Sequence, residues 1–392
     1  MLEINPHLND LIADAQAGLQ EYFGLKASTT ATAPGRVNLI GEHIDYCDGL
    51  VLPLAIDRHI VIAAKTTAHD EVRIASDLSK ESISFHVGAP VQPGEPRWSN
   101  YIRGVLRGFQ NRGHQLPGFD AYIISSIPQG AGLSSSAALE LAVATLLEGL
   151  LDTRLATREK ALLCQQAEHE FAHVPCGIMD QFSSAFGREN RLVLIDCRSG
   201  IPDLVPFDNP DMTLLIANTM VSHELSDGIY AQRRKQTQQA LAFLEKHSWR
   251  DVSIEELEAS WRQLEEPINR RARHVVTEIK RTVTAAEALA HNEFEVLGKL
   301  MAASHDSLRD DFEVSCKELD TLVEIARGIG RKGGVIGTRM TGGGFGGSTV
   351  TLCETRKSSQ IADTLAAEYT KATGIRPQIF ASRPSEGARL VH

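Results

Sequence analysis

The chain's 392 residues allow two domains, or three, on a rough prior of ~150 residues each, and 42% hydrophobic with 23% charged residues is the make-up of a globular protein. A formal net charge of −10 argues against the basic face of a nucleic-acid binder and is read as solubility. No run approaches the ~20 apolar residues that cross a bilayer, since the stretch 50–64 is broken by Pro53, Asp57, Arg58 and His59.

Residues 1–7 lack a basic segment followed by an apolar core, so they do not read as a signal peptide. Cysteines 47, 164, 176, 197, 316 and 353 are scattered without a C-x-x-C pair, which fits reduced thiols. A cytoplasmic protein is expected, working as a monomer with neither membrane nor nucleic-acid partners.

The first informative stretch is Arg36 to Gly49. It holds one arginine, three carboxylates (Glu42, Asp45, Asp48), one histidine and two glycines, interleaved with Val37, Leu39 and Ile40. Acceptors for hydroxyls beside a cation suit a surface that grips a hydroxyl-rich ligand next to a phosphate. An ordinary strand and turn is the alternative, and it stays open at this point.

Strands are expected at 51–56, 60–64, 72–75, 83–85 and 121–125, short apolar or alternating runs between Asp, Ser, Gly and Pro clusters. No long helices are read between them, so an antiparallel or mixed sheet is expected rather than a βαβ repeat. From Ser134 the period becomes helical, with Leu139, Val143, Leu146 and Leu150 on one face.

The segment Pro128 to Glu140 joins that last strand to this helix. Gly130 and Gly132 permit close backbone approach or positive φ, and Ser134, Ser135 and Ser136 stand where unpaired N–H groups and the helix dipole bind anions. One serine would suffice as a cap; three behind two glycines favour a phosphate site. There is no Walker A lysine, and Ser135 occupies the third glycine position of a dinucleotide fingerprint, so a nucleotide site of another class is indicated.

A helix is expected over 156–171. After it, Asp180 lies among apolar neighbours such as Met179 and Phe182, so it has either a buried partner or a task. The partner could be Arg36 in a structural ion pair. The functional reading puts Asp180 on the hydroxyl to be phosphorylated and Arg36 on the transferring group. Glu168 alone is only a helix glutamate.

Strands are read at 192–196 and 212–218, with a lobe boundary in the Gly- and Pro-bearing stretch between, giving lobes 1–205 and 206–392. Residues 227–301 read as charged, solvated helices. Near the end, five glycines in the six positions 342–347 surround Phe345, which suggests backbone packed tightly against a ligand or another loop.

Pro34 to His43, Gly130 to Ala137 and Thr341 to Gly347 together resemble the three motifs of the GHMP small-molecule kinases. The likeness runs from about Ala33 to Ala388 and takes in Arg309 to Glu313 and Pro384 to Ala388. Gly49 to Ile56 and Gly177 to Gln181 are similar to the branch that phosphorylates galactose.

This resemblance implies an α+β fold of two lobes, with mixed and antiparallel sheets and the active site in the inter-lobe cleft. It also implies ATP, Mg²⁺ and phosphorylation of a sugar's anomeric hydroxyl. By position, Glu42, His43 and Asp45, with Ile44 between them, and Tyr230 would meet the sugar. Gly130, Ala131, Gly132, Leu133, Ser134, Ser135 and Ser136 would form the ATP loop. Ser136 and Glu168 would hold Mg²⁺, Asp180 would be the catalytic aspartate, and Arg36 would stabilise the transition state.

Ile44 and Cys47 stand where many members carry Thr and Asn. In this the loop looks like the branch that phosphorylates N-acetylgalactosamine, whereas Asp48 to Pro53 resembles the galactose branch. Galactose is therefore expected first and N-acetylgalactosamine second. Non-catalytic sugar sensors of this type lack residues within the stretch that is intact here from Gly132 to Ala138.

Overall fold

The computed structural model describes residues 2–222 and 226–391. Helix α1 (Leu8–Phe23) is followed by strands β1 (Thr29–Asn38), β2 (Leu50–Val51), β3 (Pro53–Thr66), β4 (Glu71–Ser76) and β5 (Ser79–His86). Helix α2 (Ser99–Asn111) and strand β6 (Phe119–Ser125) lead into α3 (Ser135–Leu150), α4 (Thr157–Ala167) and α5 (Met179–Phe186). Strands β7 (Arg191–Asp196), β8 (Ile201–Pro206) and β9 (Met212–Ser222) precede α6 (Ser226–Phe243), α7 (Ile254–Ser260), α8 (Ile268–Ala290), α9 (Phe294–Asp310) and α10 (Lys317–Gly333). Strands β10 (Val335–Thr341) and β11 (Gly346–Glu354), helix α11 (Ser358–Thr373) and strands β12 (Gln378–Ser382) and β13 (Arg389–Val391) complete the chain.

The strands form a six-stranded sheet ordered β13-β1-β3-β6-β4-β5, a four-stranded sheet ordered β10-β11-β9-β12, and a small sheet β2-β7-β8. The β4–β6 pairing is parallel and the β1–β3, β3–β6 and β4–β5 pairings are antiparallel, so the mixed sheet expected from the sequence is observed.

β3 is one continuous strand across Asp57, Arg58 and His59, where two were expected. The polar triplet is accommodated locally: Asp57 is exposed, while Arg58 donates to Asn5 Oδ1 at 3.0 Å and lies over the Phe380 ring. Helix α1 packs on β3 and β6, and α3 on β1 and β3. Covered on both faces, β3 reads as an apolar run rather than an alternation.

α2, between β5 and β6, corrects the expectation of no long helix between the early strands, whereas α1 precedes them all. α2 buries Ile102, Val105, Leu106 and Phe109, a helical spacing. The expected helix over 156–171 is α4, which passes into a π-helical turn at Glu168–Ala172. The stretch after Gly200 contains β8, paired with β7. Among the described residues, no helix is long and apolar enough to cross a membrane.

α3 is buried almost all round, as its small and apolar residues allow. It also buries two acids: Glu148 pairs with Lys160 Nζ at 2.8 Å, and Glu140 takes the Gln181 amide at 3.0 Å. Three connections then converge on one cleft. The loop after β1 carries residues 39–49, the β6–α3 loop carries 128–134, and the β10–β11 loop carries 342–345.

Candidate active site

The cleft is a cavity of about 640 Å³ whose walls include Arg36, Asp45, Ser134, Ser136, Asp180 and Tyr230. β1 shifts register between Pro34 and Arg36, and at that irregularity the Arg36 backbone N–H donates to the Leu133 carbonyl at 3.1 Å. The Arg36 guanidinium is thereby aimed across the cleft floor. Its Nε and second terminal nitrogen lie 2.8 and 2.7 Å from Asp180 Oδ1, and its remaining nitrogen donates to the Gly132 carbonyl at 2.7 Å. Asp180 sits in the first turn of α5, where the helix dipole favours a negative charge. Its side chain keeps 23% of its surface exposed, so the ion pair opens onto the cleft instead of being sealed in the core.

In the loop 128–134 both glycines take the positive φ they were expected to allow, and Ser134 takes one that was not expected. Gly130 and Gly132 take φ of 67° and 71°, and Ser134 takes 55°. Ser134 stands at the cap position of α3 without capping it; its hydroxyl donates instead to Asp180 Oδ2 at 2.5 Å. The third glycine cluster packs directly on this loop. A Cβ on Gly342 would lie 2.9 Å from the Gly132 carbonyl, and one on Gly344 would lie 2.1 Å from the Val314 carbonyl. The Ser348 hydroxyl donates to the Ala131 carbonyl at 2.7 Å.

At the other end of the cleft, Glu42 is 1% exposed and its carboxylate is fully engaged by the protein. It receives Arg339 at 2.8 Å, Thr341 Oγ1 at 3.1 Å, the Gly342 N–H at 2.7 Å and the Asn38 amide. His43, at φ 61°, packs against Tyr230 and Phe312. Burial, reinforced by the nearby His274, lowers its pKa to about 3, so the ring is neutral. Nε2–H then donates to the Gly343 carbonyl at 3.1 Å and Nδ1 accepts from the Tyr46 hydroxyl at 2.9 Å, a tautomer assigned from this network.

Asp45 lines the cleft against Gly177, where a Cβ would lie 1.9 Å from its Oδ2. Burial and then the charge of Asp180 raise its pKa to about 7, with Arg36 opposing. Tyr230 reaches the wall from α6, its ring 5.4 Å from those of His43 and Tyr46, and burial pushes its phenol up. The side chains of Ile44 and Cys47 do not join them. Both are buried in an apolar cluster with Val51, Met179 and Phe182, and the Cys47 thiol donates to Thr237 of α6 at 3.6 Å.

Glu168 opens the π-helical turn, a device that re-aims side chains at functional sites. Its carboxylate accepts from Gln181 at 2.6 Å, and the nearby Ser136 hydroxyl acts to lower its pKa. Burial and then Asp180 raise its pKa to about 7, and burial and then Glu168 push Glu140 well up. One oxygen of Glu140 is buried without a partner. These crowded carboxylates and the Ser136 hydroxyl form an oxygen-only donor set that fits a hard divalent cation. Among the described residues, no group of three or more His, Cys, Asp or Glu could hold a metal unaided. A cation here would therefore complete its shell with water and phosphate oxygens, the usual habit of Mg²⁺.

A second cavity of about 500 Å³ adjoins the phosphate loop, sharing Ser135 and Ser136 and walled by Trp98, Tyr101, Ile127 and Leu139. Sequence reasoning missed it. Its one signal was a pair of aromatics three residues apart at the start of α2. Arg339 was missed too, although it stands three positions before the glycine cluster.

Residues 100–188 match the GHMP kinases N terminal domain, residues 285–371 match GHMP kinases C terminal, and residues 19–66 match the galactokinase galactose-binding signature. Fold and cleft thus define a kinase of the GHMP class. The galactokinases of Canis lupus familiaris and Homo sapiens are each 43% identical, over 99% and 98% of this chain and 98% of their own lengths. The chain belongs to the galactokinase family. The solved structure of Lactococcus lactis galactokinase complexed with galactose is 32% identical, with a TM-score of 0.90 over 95% of this chain and 98% of its own. A mevalonate kinase structure, 20% identical with a TM-score of 0.63 over 91% of this chain and 99% of its own, shares the fold alone.

Proposed function

We propose that this chain transfers the γ-phosphoryl group of ATP to the anomeric hydroxyl of galactose, giving galactose 1-phosphate and ADP. The observation that carries the reading is the Asp180 carboxylate, shared between Arg36 and Ser134 and open to the cleft between phosphate loop and sugar loop. Asp180 orients the attacking hydroxyl and takes its proton as the phosphoryl group arrives. Arg36 stabilises charge on that group. Phosphoryl transfer has a loose transition state, so positioning and charge supply most of the acceleration.

Glu42 and His43 have their polar atoms committed to protein partners, so they shape the sugar end. Asp45, Asp180 and Tyr230 are left to meet hydroxyls. Gly130 to Ser136 cradle the phosphates, and the cavity beside Trp98 and Tyr101 takes the base by stacking. Ser136 and Glu168 would hold Mg²⁺, which neutralises phosphate charge when bound.

Ile44 and Cys47, packed in the core, give no reason to prefer an N-acetylated sugar. We take 1–205 and 206–392 as the two lobes, with β13 returning to the first lobe's sheet beside β1. We also take the protein as a monomer and as cytoplasmic, and six unpaired cysteines speak for the second of these. ADP release with Mg·ATP against galactose, N-acetylgalactosamine, glucose, arabinose and mevalonate tests the function. Turnover is expected with galactose; turnover confined to mevalonate, or with none of the panel, overturns it.

A further inference from the structure

The segment 384–388 belongs to the family likeness, yet none of its residues lines the active-site cleft. It returns from β12 and crosses beneath α5, the helix that carries Asp180. The Ser385 N–H donates to the Ala55 carbonyl, Gly387 to Gly187 and Ala388 to Ser184, each at 2.9 Å. Gly387 lies so near that a Cβ would stand 2.7 Å from the Ala185 carbonyl and 2.9 Å from that of Ser184. Arg389 fixes the turn by donating to the carbonyls of Glu386 and Gly387 at 3.2 and 3.0 Å. β13 then pairs with β1, the strand that carries Arg36, with Arg389 opposite Thr32 and Val391 opposite Thr30.

Ser184 stands one helical turn after Asp180 and is 1% exposed. Its hydroxyl donates at 2.8 Å to the carbonyl of Pro34, two residues before Arg36. α5 therefore grips β1 twice, through Asp180 on Arg36 and through Ser184 on Pro34. The returning segment holds the same two elements, through the Ser184 carbonyl of α5 and through pairing with β1.

We propose that Ser184 and the strap 384–391 form a positioning clamp, which fixes the Asp180 carboxylate against the Arg36 guanidinium. The clamp rests on the reading of Asp180 and Arg36 as the reacting pair. None of its residues lines the cleft, so its loss acts through Asp180 and lowers turnover far more than it weakens substrate binding. Misplacing a reacting group by ~1 Å costs on the order of 10²-fold in rate, which is the scale a slackened clamp operates on.

Ser184→Ala removes the hydroxyl that binds Pro34; Gly387→Ala drives strap and helix apart. Both variants are expected to keep the far-UV spectrum, to lose roughly 10- to 100-fold in kcat, and to hold KM for galactose and ATP within about threefold. Placed in an Asp180→Ala background, Ser184→Ala is expected to cost nothing further, since no carboxylate is left to position. Wild-type kcat in both single variants, a raised KM with kcat unchanged, or the same loss in the Asp180→Ala background overturns the clamp. If Gly387→Ala does not fold, Ser184→Ala carries the test alone. A wild-type chain inactive on galactose overturns the underlying reading instead, so the two failures are distinct.

Discussion

Ser134 occupies the cap position of the phosphate-loop helix and spends its hydroxyl on Asp180, 2.5 Å away, instead of on the helix. With Arg36 on its other oxygen, Asp180 is held at both ends before any substrate arrives. Asp180→Asn is expected to fold normally and to lose at least ~10³-fold in kcat, and Ser134→Ala to lose roughly tenfold or more, both read by ADP release. Near wild-type turnover in Asp180→Asn would remove that residue from the reaction.

The Glu42–Arg339 pair is buried at both ends, at 1% and 0% exposure. Removing one partner of such a pair leaves an uncompensated charge, at a cost of about 3–5 kcal/mol. Arg339→Met is expected to lower the urea midpoint accordingly. A midpoint equal to that of the wild type would mean the pair is dispensable.

Asp45 carries a pH signature. Its pKa, raised by burial and Asp180 from 3.8 to about 7, lies above the unfolded value. The native state therefore binds the extra proton between those values and loses stability as pH rises through the window. Asp45→Asn is expected to melt higher than the wild type at pH 8, to melt about equally at pH 4, and to lose galactose turnover. No difference in melting at pH 8 would contradict the shift.

Gly344 has φ 87° and faces the Val314 carbonyl at a distance no Cβ tolerates. Gly344→Ala must push the third glycine loop off its seat. Lower thermal stability and weaker turnover are expected together, whereas Gly130→Ala, with open space around it, pays mainly for its positive φ. Comparing the two melting curves separates collision from strain.

Excess EDTA is expected to abolish turnover and added Mg²⁺ to restore it. Glu168→Gln should raise the Mg²⁺ concentration for half-maximal rate by roughly 10- to 100-fold. An unchanged Mg²⁺ dependence would mean that Glu168 does not serve the cation.

Much of the site was legible because it violates local rules. Asp180 between apolar neighbours, serines behind two glycines, and glycines flanking Phe345 each ask for a reason beyond packing. The partners of Glu42 were not legible: a carboxylate in a sequence does not announce which donors reach it, and Arg339 arrives from almost three hundred positions away. The cavity beside Trp98 and Tyr101 was hidden for the same reason, since its walls come from β3, β4, β5, β6, α2 and α3 together. Ile44 fell the other way. Its position in the sugar loop suggested contact, but its apolar side chain is turned into the core with Val51, Met179 and Phe182.

That burial bears on how relatives are compared. Ile44 and Cys47 share one apolar cluster with Met179 and Phe182 of α5, and Cys47 reaches Thr237 of the helix that presents Tyr230. Sorting sequences by the letters at these two positions therefore sorts them by how the ground beneath the sugar is filled. A library meant to alter sugar choice gains more from the cleft-facing residues His173 to Cys176 and Tyr230.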